Sequence, residues 1–381
     1  MRSESVTAKT MAGSSSLAKS GFSPFPERSI RTYEDWHAYA TKPVPVKPVM
    51  PTRAVFDLMS NVEKKAFNQI RRAYHDGFGP LLVPDMEEIH EAGLRLARQN
   101  LRAQPGSRPG LIMDGISTVG KSTIAMQLGR RYEKLLTKNH TITRTPNGSV
   151  FLPVAFVNLP GEVSILNFNY ILARFYNIPF SKNVREFELT DRIEEHAADC
   201  GTSMVILDDI HFLRIKNRSH EVVNDHFKHL ASSISATFVY AGINVEGSGL
   251  LAEGNKPENK ILSQTAHRFK RFDLHPFDYN NTQSRDDFNK VLASFEDNLL
   301  LFEQAKGSLV ENTAEYIWAR TGGFIGPISG LIREGAALAI KRNTEKITID
   351  ILAGIKLDSE SEQQFKLNTK KYQASGQRSK E

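Results

Sequence analysis

Short apolar runs alternate with amphipathic stretches through the middle of the chain. Runs at Leu111–Asp114, Pro153–Asn158, Met204–Asp208, Thr237–Ala241 and Phe272–Leu274 predict strands, with helices between them. That alternation is the pattern of an α/β fold built on a sheet. The flanks read differently. Residues 279–357 are helical in pattern, with Phe288, Val291, Leu292, Phe295, Leu299 and Leu300 on one stripe. Residues 53–105 predict a second helical segment. Val55, Leu58, Met59, Val62 and Phe67 recur near helical spacing, Pro80 and Pro84 interrupt it, and an amphipathic helix resumes from Met86 to Asn100. Residues 1–52 form an extension with a Ser-rich start, expected to be disordered to about residue 30. A strap with four prolines follows between Thr41 and Pro51, which blocks helix and favours an extended path. Residues 358–381 are polar. A sheet-bearing core is thus expected over 106–278 and a separate helical segment over 279–357.

Apolar residues make up 40% of the 381 and charged residues 24%, the balance of a globular chain with its own core. The single cysteine, Cys200, rules out an internal disulfide and a cysteine-rich metal site, and points to the cytoplasm. No apolar run approaches the ~18 residues of a membrane span. A net charge of +6 tilts the partners towards acidic ones, nucleic acid among them.

The first candidate chemistry lies at the end of the first strand. Leu111-Ile-Met runs into Gly115-x-x-x-x-Gly120-Lys121-Ser122, and a helix follows, with Ile124, Leu128, Tyr132 and Leu135 expected on its buried face. Glycines at those places let backbone N–H groups converge on phosphate oxygens at the positive end of a helix. The ATP-binding set is therefore Gly115, Ile116, Ser117, Thr118, Val119, Gly120, Lys121, Ser122 and Thr123. Lys121 is expected to reach the β- and γ-phosphates, and the Ser122 hydroxyl to bind Mg²⁺. A chance match to this pattern in a chain of this length is on the order of one per cent, and the strand and helix flanks make it rarer.

A second acidic site complements the first. Met204-Val-Ile-Leu-Asp208-Asp209 is an apolar strand that ends in two carboxylates. Asp208 is the candidate for holding Mg²⁺ through water, and Asp209 for orienting and activating the attacking water. Asp209 stands where many such ATPases carry Glu, roughly 1.5 Å shorter in reach. Slow hydrolysis is the expected result, unless the backbone moves closer. His211, just after, is read as a turn or interface residue.

Four stretches carry a resemblance to a family. They are Phe67-Asn-Gln-Ile-Arg-Arg-Ala-Tyr-His75, Pro153-Val-Ala-Phe-Val-Asn-Leu-Pro160 with the helix through Ile171 and Leu172, Ile206-Leu-Asp-Asp-Ile-His211, and Thr321-Gly-Gly-Phe-Ile-Gly326 leading into Leu331–Ile340. Together with the phosphate loop they resemble the TniB/TnsC-type AAA+ ATPases of transposons, over roughly residues 65 to 356. The resemblance implies an AAA+ core with a five-stranded parallel sheet and a small helical lid. It places Asn244 like a sensor that bonds the γ-phosphate or the water. It places Arg268 like an arginine finger that acts on a neighbouring subunit, with Arg271 as the rival. The chain departs from the pattern at Asp209 and at Gly323–Gly326, which lacks the arginine many AAA+ lids carry. Arg333 lies one or two turns later.

By resemblance, such proteins self-associate on duplex DNA with ATP and pass a target site to a transposase. Lys182, Arg185 and the run Arg214-Ile-Lys-Asn-Arg218 are candidate DNA contacts. No zinc finger, helix-turn-helix or aromatic stacking run is present in the sequence, so DNA binding is expected to be largely sequence-independent. The alternative function is a signalling or defence NTPase switch that acts on a protein and touches no DNA.

Overall fold

The computed structural model describes residues 28–366, apart from 82–83, 105, 107, 162, 213–219, 246–267 and 364. The described residues fall into two compact units. One comprises 28–42 and 84–275, the other 43–81 and 276–366.

The first unit is built on a parallel sheet. Its strands are β1 (Gly110–Gly115), β2 (Val154–Asn158), β3 (Met204–Asp208), β4 (Thr237–Gly242) and β5 (Phe269–Leu274), in the order β2-β3-β4-β1-β5. All neighbours pair parallel. β1, β3 and β4 are apolar on both faces because the sheet is covered on both sides. β5, at the sheet's edge, carries the charged residues Lys270, Arg271 and Asp273 among its apolar ones. Around the sheet lie α1 (Tyr33–Thr41), α4 (Pro84–Asn100), α5 (Lys121–Leu136), α6 (Ile165–Phe175), α7 (Glu186–Asp199) and α8 (His220–Ser233). α5 packs across β1 to β4. Ile124, Leu128 and Tyr132 form its buried face as expected, but Leu135 is half exposed, and the last turn buries Glu133 instead.

The second unit is helical. It holds α2 (Arg53–Leu58), α3 (Asn61–Gly77), α9 (Thr282–Glu296), α10 (Ser308–Thr321), α11 (Ile325–Lys341) and α12 (Ile349–Ala353). Its core joins Phe288, Val291, Leu292 and Phe295 to Leu331, Ile332 and Leu352, with Tyr74 and Phe78 from α3 and its end. Arg71 is fully buried there, paired with Glu345 at 2.7 Å and donating to the Leu300 carbonyl at 2.9 Å. Gly323 follows α10 with φ 79°, and a Cβ on it would stand 2.1 Å from the Phe277 carbonyl oxygen. Only glycine allows that left-handed turn and that close approach. Arg333 donates to the carbonyls of Asp76 and Phe78, so it caps the end of α3 within this unit.

Three expectations need correction. The extension 1–52 contains a helix, α1, started by a Thr32–Asp35 capping box and anchored by buried Trp36. Residues 1–27 lie outside the described residues. The segment expected at 53–105 does not stay together. α3 turns Arg71, Tyr74 and His75 into the helical unit, whereas α4 buries Met86, Ile89 and Ala97 in the sheet unit. The stripe of Val55, Leu58 and Val62 is exposed rather than buried. α2 ends at Leu58, and Ser60 caps a new helix at Asn61, so the helical phase is lost between them. Phe56 is the residue that goes inside.

Candidate active site

β1 delivers the chain to the phosphate loop. Gly115 pairs with Leu274 of β5, and a Cβ on Gly115 would lie 2.4 Å from the Leu274 carbonyl oxygen. Any side chain there would prise β5 away from β1. Ile116, Ser117 and Thr118 are exposed at the crest of the loop, and Val119 is its buried anchor. Gly120, at φ 94°, is the N-cap of α5 and provides no side-chain cap. The first turn of α5 also contains no acidic residue. The N–H groups and positive dipole end of α5 are thus not answered by any anion of the helix's own first turn, which is the arrangement that accepts phosphate.

The Lys121 ammonium donates to the carbonyls of Gly115 at 2.8 Å and Ile116 at 2.6 Å, so it lies under the loop. Burial pulls its pKa below the ordinary lysine value, and Asp208, Asp209 and Asp114 oppose that shift. The Ser122 hydroxyl stands beside the Asp208 carboxylate and favours its charged form. Burial pushes Asp208 above the ordinary carboxylate range, and neighbouring Asp209 adds to this. The Ser122 hydroxyl, the Asp209 N–H and Lys121 pull it back. A buried carboxylate raised in this way gains from a cation placed beside it. Ser122 and Asp208 offer the oxygen ligands that a divalent ion takes. Thr123 is exposed in the same first turn.

Asp209 is half-buried and sits at φ 56°, in the left-handed region, with its N–H on the Asp208 carboxylate at 3.0 Å. The backbone therefore bends sharply at the very residue that is one carbon short. Asn244 lies two residues past β4, exposed, at φ 50°. β4 stands between β3 and β1. The N–H of Val245 donates to Asp114 at 3.0 Å, which ties the Asn244 turn to the end of β1. The sheet thus brings the phosphate loop, Asp208, Asp209 and Asn244 to one edge, the carboxyl ends of its strands.

Sequence reasoning missed the role of Asp114. It is buried and accepts from both Val245 and Arg271, the latter at 3.2 Å. A charged residue closing an otherwise apolar strand was the signal. Arg271 also pairs with Asp273 at 2.7 Å, so its guanidinium is engaged with its own chain beside its own phosphate loop. Arg268 lies elsewhere. It immediately precedes Phe269, which pairs with Gly110 at the start of β1. It is exposed at the opposite end of the strand from Gly115. Lys182 and Arg185 are both exposed before α7, with Arg185 as its N-cap residue. Arg214, Lys216 and Arg218 lie outside the described residues.

The fold is that of the AAA+ P-loop ATPases. The ORC1 protein of Aeropyrum pernix, solved in complex with DNA, superposes with a TM-score of 0.51 at 13% identity, covering 74% of this chain and 68% of that one. The ADP form of the Aeropyrum pernix ORC2 protein gives 0.50 at 12%, covering 80% and 72%. No curated protein matches. A family profile described as Bacterial TniB protein matches residues 86–279, just over half of the chain. That span runs from α4 past the end of β5 and takes in every strand of the sheet, and by it the chain belongs to the TniB family.

Proposed function

We propose that this chain binds and slowly hydrolyses ATP, assembles on duplex DNA in the ATP-bound state, and directs transposition target selection by recruiting a transposase. The observation that carries the nucleotide reading is an α5 N-terminus with no cap of its own, with Lys121 held under the loop by the Gly115 and Ile116 carbonyls and buried Asp208 beside it. Gly115 to Thr123 would cradle the phosphates, with Lys121 moving from loop carbonyls to phosphate oxygens. Ser122 and Asp208 would hold Mg²⁺, which neutralises phosphate charge when bound. Asp209 would take the proton of the attacking water, and Asn244 would position that water or the γ-phosphate. Membership in the TniB family supports the transposition reading. Lys182 and Arg185 are the candidate phosphate contacts. Glu186 and Glu188 follow them in the first turn of α7, so the local field is mixed and the contact would be modest.

DNA carries about one charge per 1.7 Å of helix axis, so a basic surface repeated along an assembly would follow it with little sequence preference. The test is anisotropy with duplexes of two lengths, at two salt concentrations, with ADP or a non-hydrolysed ATP analogue. Binding should need the analogue, favour the longer duplex and fall steeply with salt. No DNA binding with the analogue at low salt would overturn the transposition reading and favour a switch that acts on a protein. Equal binding with ADP would keep DNA as a partner and remove ATP as its control.

A further inference from the structure

Away from the phosphate loop, at the far end of α5, three potential metal ligands face one another. They are His37 on α1, Glu133 in the last turn of α5, and His140 in the turn that follows. One ligand atom from each lies within 4.8 Å of the others. His37 Nδ1 stands 3.3 Å from Glu133 Oε1, and His140 Nδ1 stands 3.9 Å from that same oxygen. Ligands at ~2.1 Å from a tetrahedral ion are about 3.4 Å apart, so these spacings are near what Zn²⁺ requires.

The surroundings divide the Glu133 carboxylate in two. Oε2 accepts from the Trp36 indole at 2.5 Å, while Oε1 faces both imidazoles. A bond to one oxygen that orients the other is how outer partners fix a metal-binding carboxylate. His140 Nδ1 is buried and has no hydrogen-bond partner. An orphaned nitrogen of this kind, aimed at a buried carboxylate, calls for an explanation. The turn that presents it is strained. Lys138, Asn139 and His140 are consecutive non-glycine residues at φ 48°, 57° and 66°. His37, by contrast, is about half exposed, which leaves ions a way in.

We propose that His37 Nδ1, His140 Nδ1 and Glu133 Oε1 bind a divalent transition-metal ion of the Zn²⁺ class, with water as the fourth ligand. Two imidazoles and one carboxylate select Zn²⁺ over Mg²⁺ or Ca²⁺, which prefer all-oxygen sets. The ion would clasp α1 to α5, the helix whose other end begins at the phosphate loop. α1 is already held there by Trp36 stacked on Phe156 and by Arg130 donating to the carbonyls of Ala40 and Lys42. Arg130 and Lys134 bring positive charge near the site, and the single Glu133 charge must offset it.

The test is calorimetric titration of the whole chain, free of any histidine tag, with Zn²⁺ alone. One equivalent should bind. Co²⁺ should give the visible absorption of a tetrahedral site. Zn²⁺ should also shift Trp36 emission in a Trp318→Phe background, since the chain has two tryptophans. His37→Ala and His140→Ala should each weaken binding by at least about tenfold, because loss of an outer partner alone costs that much. His37 is exposed enough that its replacement should leave the fold intact. Zn²⁺ should raise the Tm of the parent chain and not of His37→Ala. Lys121→Ala should retain the metal, so failure of the ATPase reading would not touch this one. Absence of saturable binding, or an affinity in both histidine variants equal to that of the parent chain, overturns the proposal.

Discussion

Ser122 and Asp208 face each other, the first turn of α5 against the end of β3. This arrangement brings the two candidate metal ligands to one point and sets Lys121 beside them. Lys121→Ala should weaken ATP binding by about 10- to 100-fold, since hydrogen bonds to charged groups contribute about 1.5–3 kcal/mol. Asp208→Ala should remove the Mg²⁺ dependence of that binding. Titration with labelled ATP, with and without Mg²⁺, reads both. Unchanged affinity in Lys121→Ala would remove the nucleotide site from this loop.

Asp209 carries a different prediction, because its backbone already departs from the strand at φ 56°. Asp209→Asn should keep ATP bound and slow turnover by about 10²- to 10⁴-fold, the usual contribution of a general base. Asp209→Glu discriminates between two accounts of the site. If reach limits the reaction, Glu raises turnover. If the left-handed turn already carries the shorter side chain forward, Glu lowers it. Single-turnover phosphate release measures either result.

The strands were legible in the sequence because a sheet covered on both faces leaves continuous apolar runs. β3 begins and ends where its run does, and the other strands differ by a few residues at most. The places of the Gly115–Ser122 loop and of Asp208 at strand ends were legible because each directly follows an apolar run. α1 was not. Its nine residues bury only Trp36 and Ala40, so no stripe announces a helix, and its anchor Glu133 is distant in sequence. The exposed stripe of Val55, Leu58 and Val62 misled for the opposite reason, as apolar spacing there continues across a helix break at Ser60. The Asp114–Arg271 pair joins two strands that are neighbours only in the folded sheet, so it had no local signature.

His75 should make stability depend on pH. It is buried in the helical unit, where its Nε2 accepts from the Leu300 N–H at 2.8 Å, a bond only the neutral ring can make. Burial lowers its pKa to about 4, helped by Arg71, Arg333 and Lys47. An unfolded histidine takes up its proton near 6.5, so between about 6.5 and about 4 the unfolded chain holds more protons. Stability should fall as pH drops through that window, and this effect is absent above it. The cost at pH ~5 is on the order of 2 kcal/mol. His75→Gln retains an acceptor and does not titrate. Urea melts at pH ~7.5 and ~5 should show a smaller loss in the variant, and equal losses would refute the assignment.

Arg268 should act on a neighbouring molecule rather than on its own nucleotide. The register of β1 and β5 makes the argument. Phe269 lies opposite Gly110 and Leu274 opposite Gly115, so Arg268 is a full strand length from its own phosphate loop. At ~3.3 Å per residue that is roughly 17 Å, beyond the span of an arginine side chain. Arg271, the rival, has its guanidinium held by Asp114 and Asp273 of its own chain. An arginine supplied in trans stabilises charge on the transferring phosphoryl group and is worth ~10³-fold or more in rate. Arg268→Ala should therefore bind ATP normally and hydrolyse it about a thousandfold more slowly. Lys121→Ala has the converse defect, with an intact Arg268 and a weakened hold on its own nucleotide. Mixing the two inactive variants should restore part of the activity, since one interface in the mixture joins an intact loop to an intact finger. The mixture is assayed by phosphate release at several ratios, with circular dichroism to confirm that both variants fold. Rescue that peaks at intermediate ratios supports action in trans. A mixture no more active than its parts would move the role to Arg271 or to a chain that works alone.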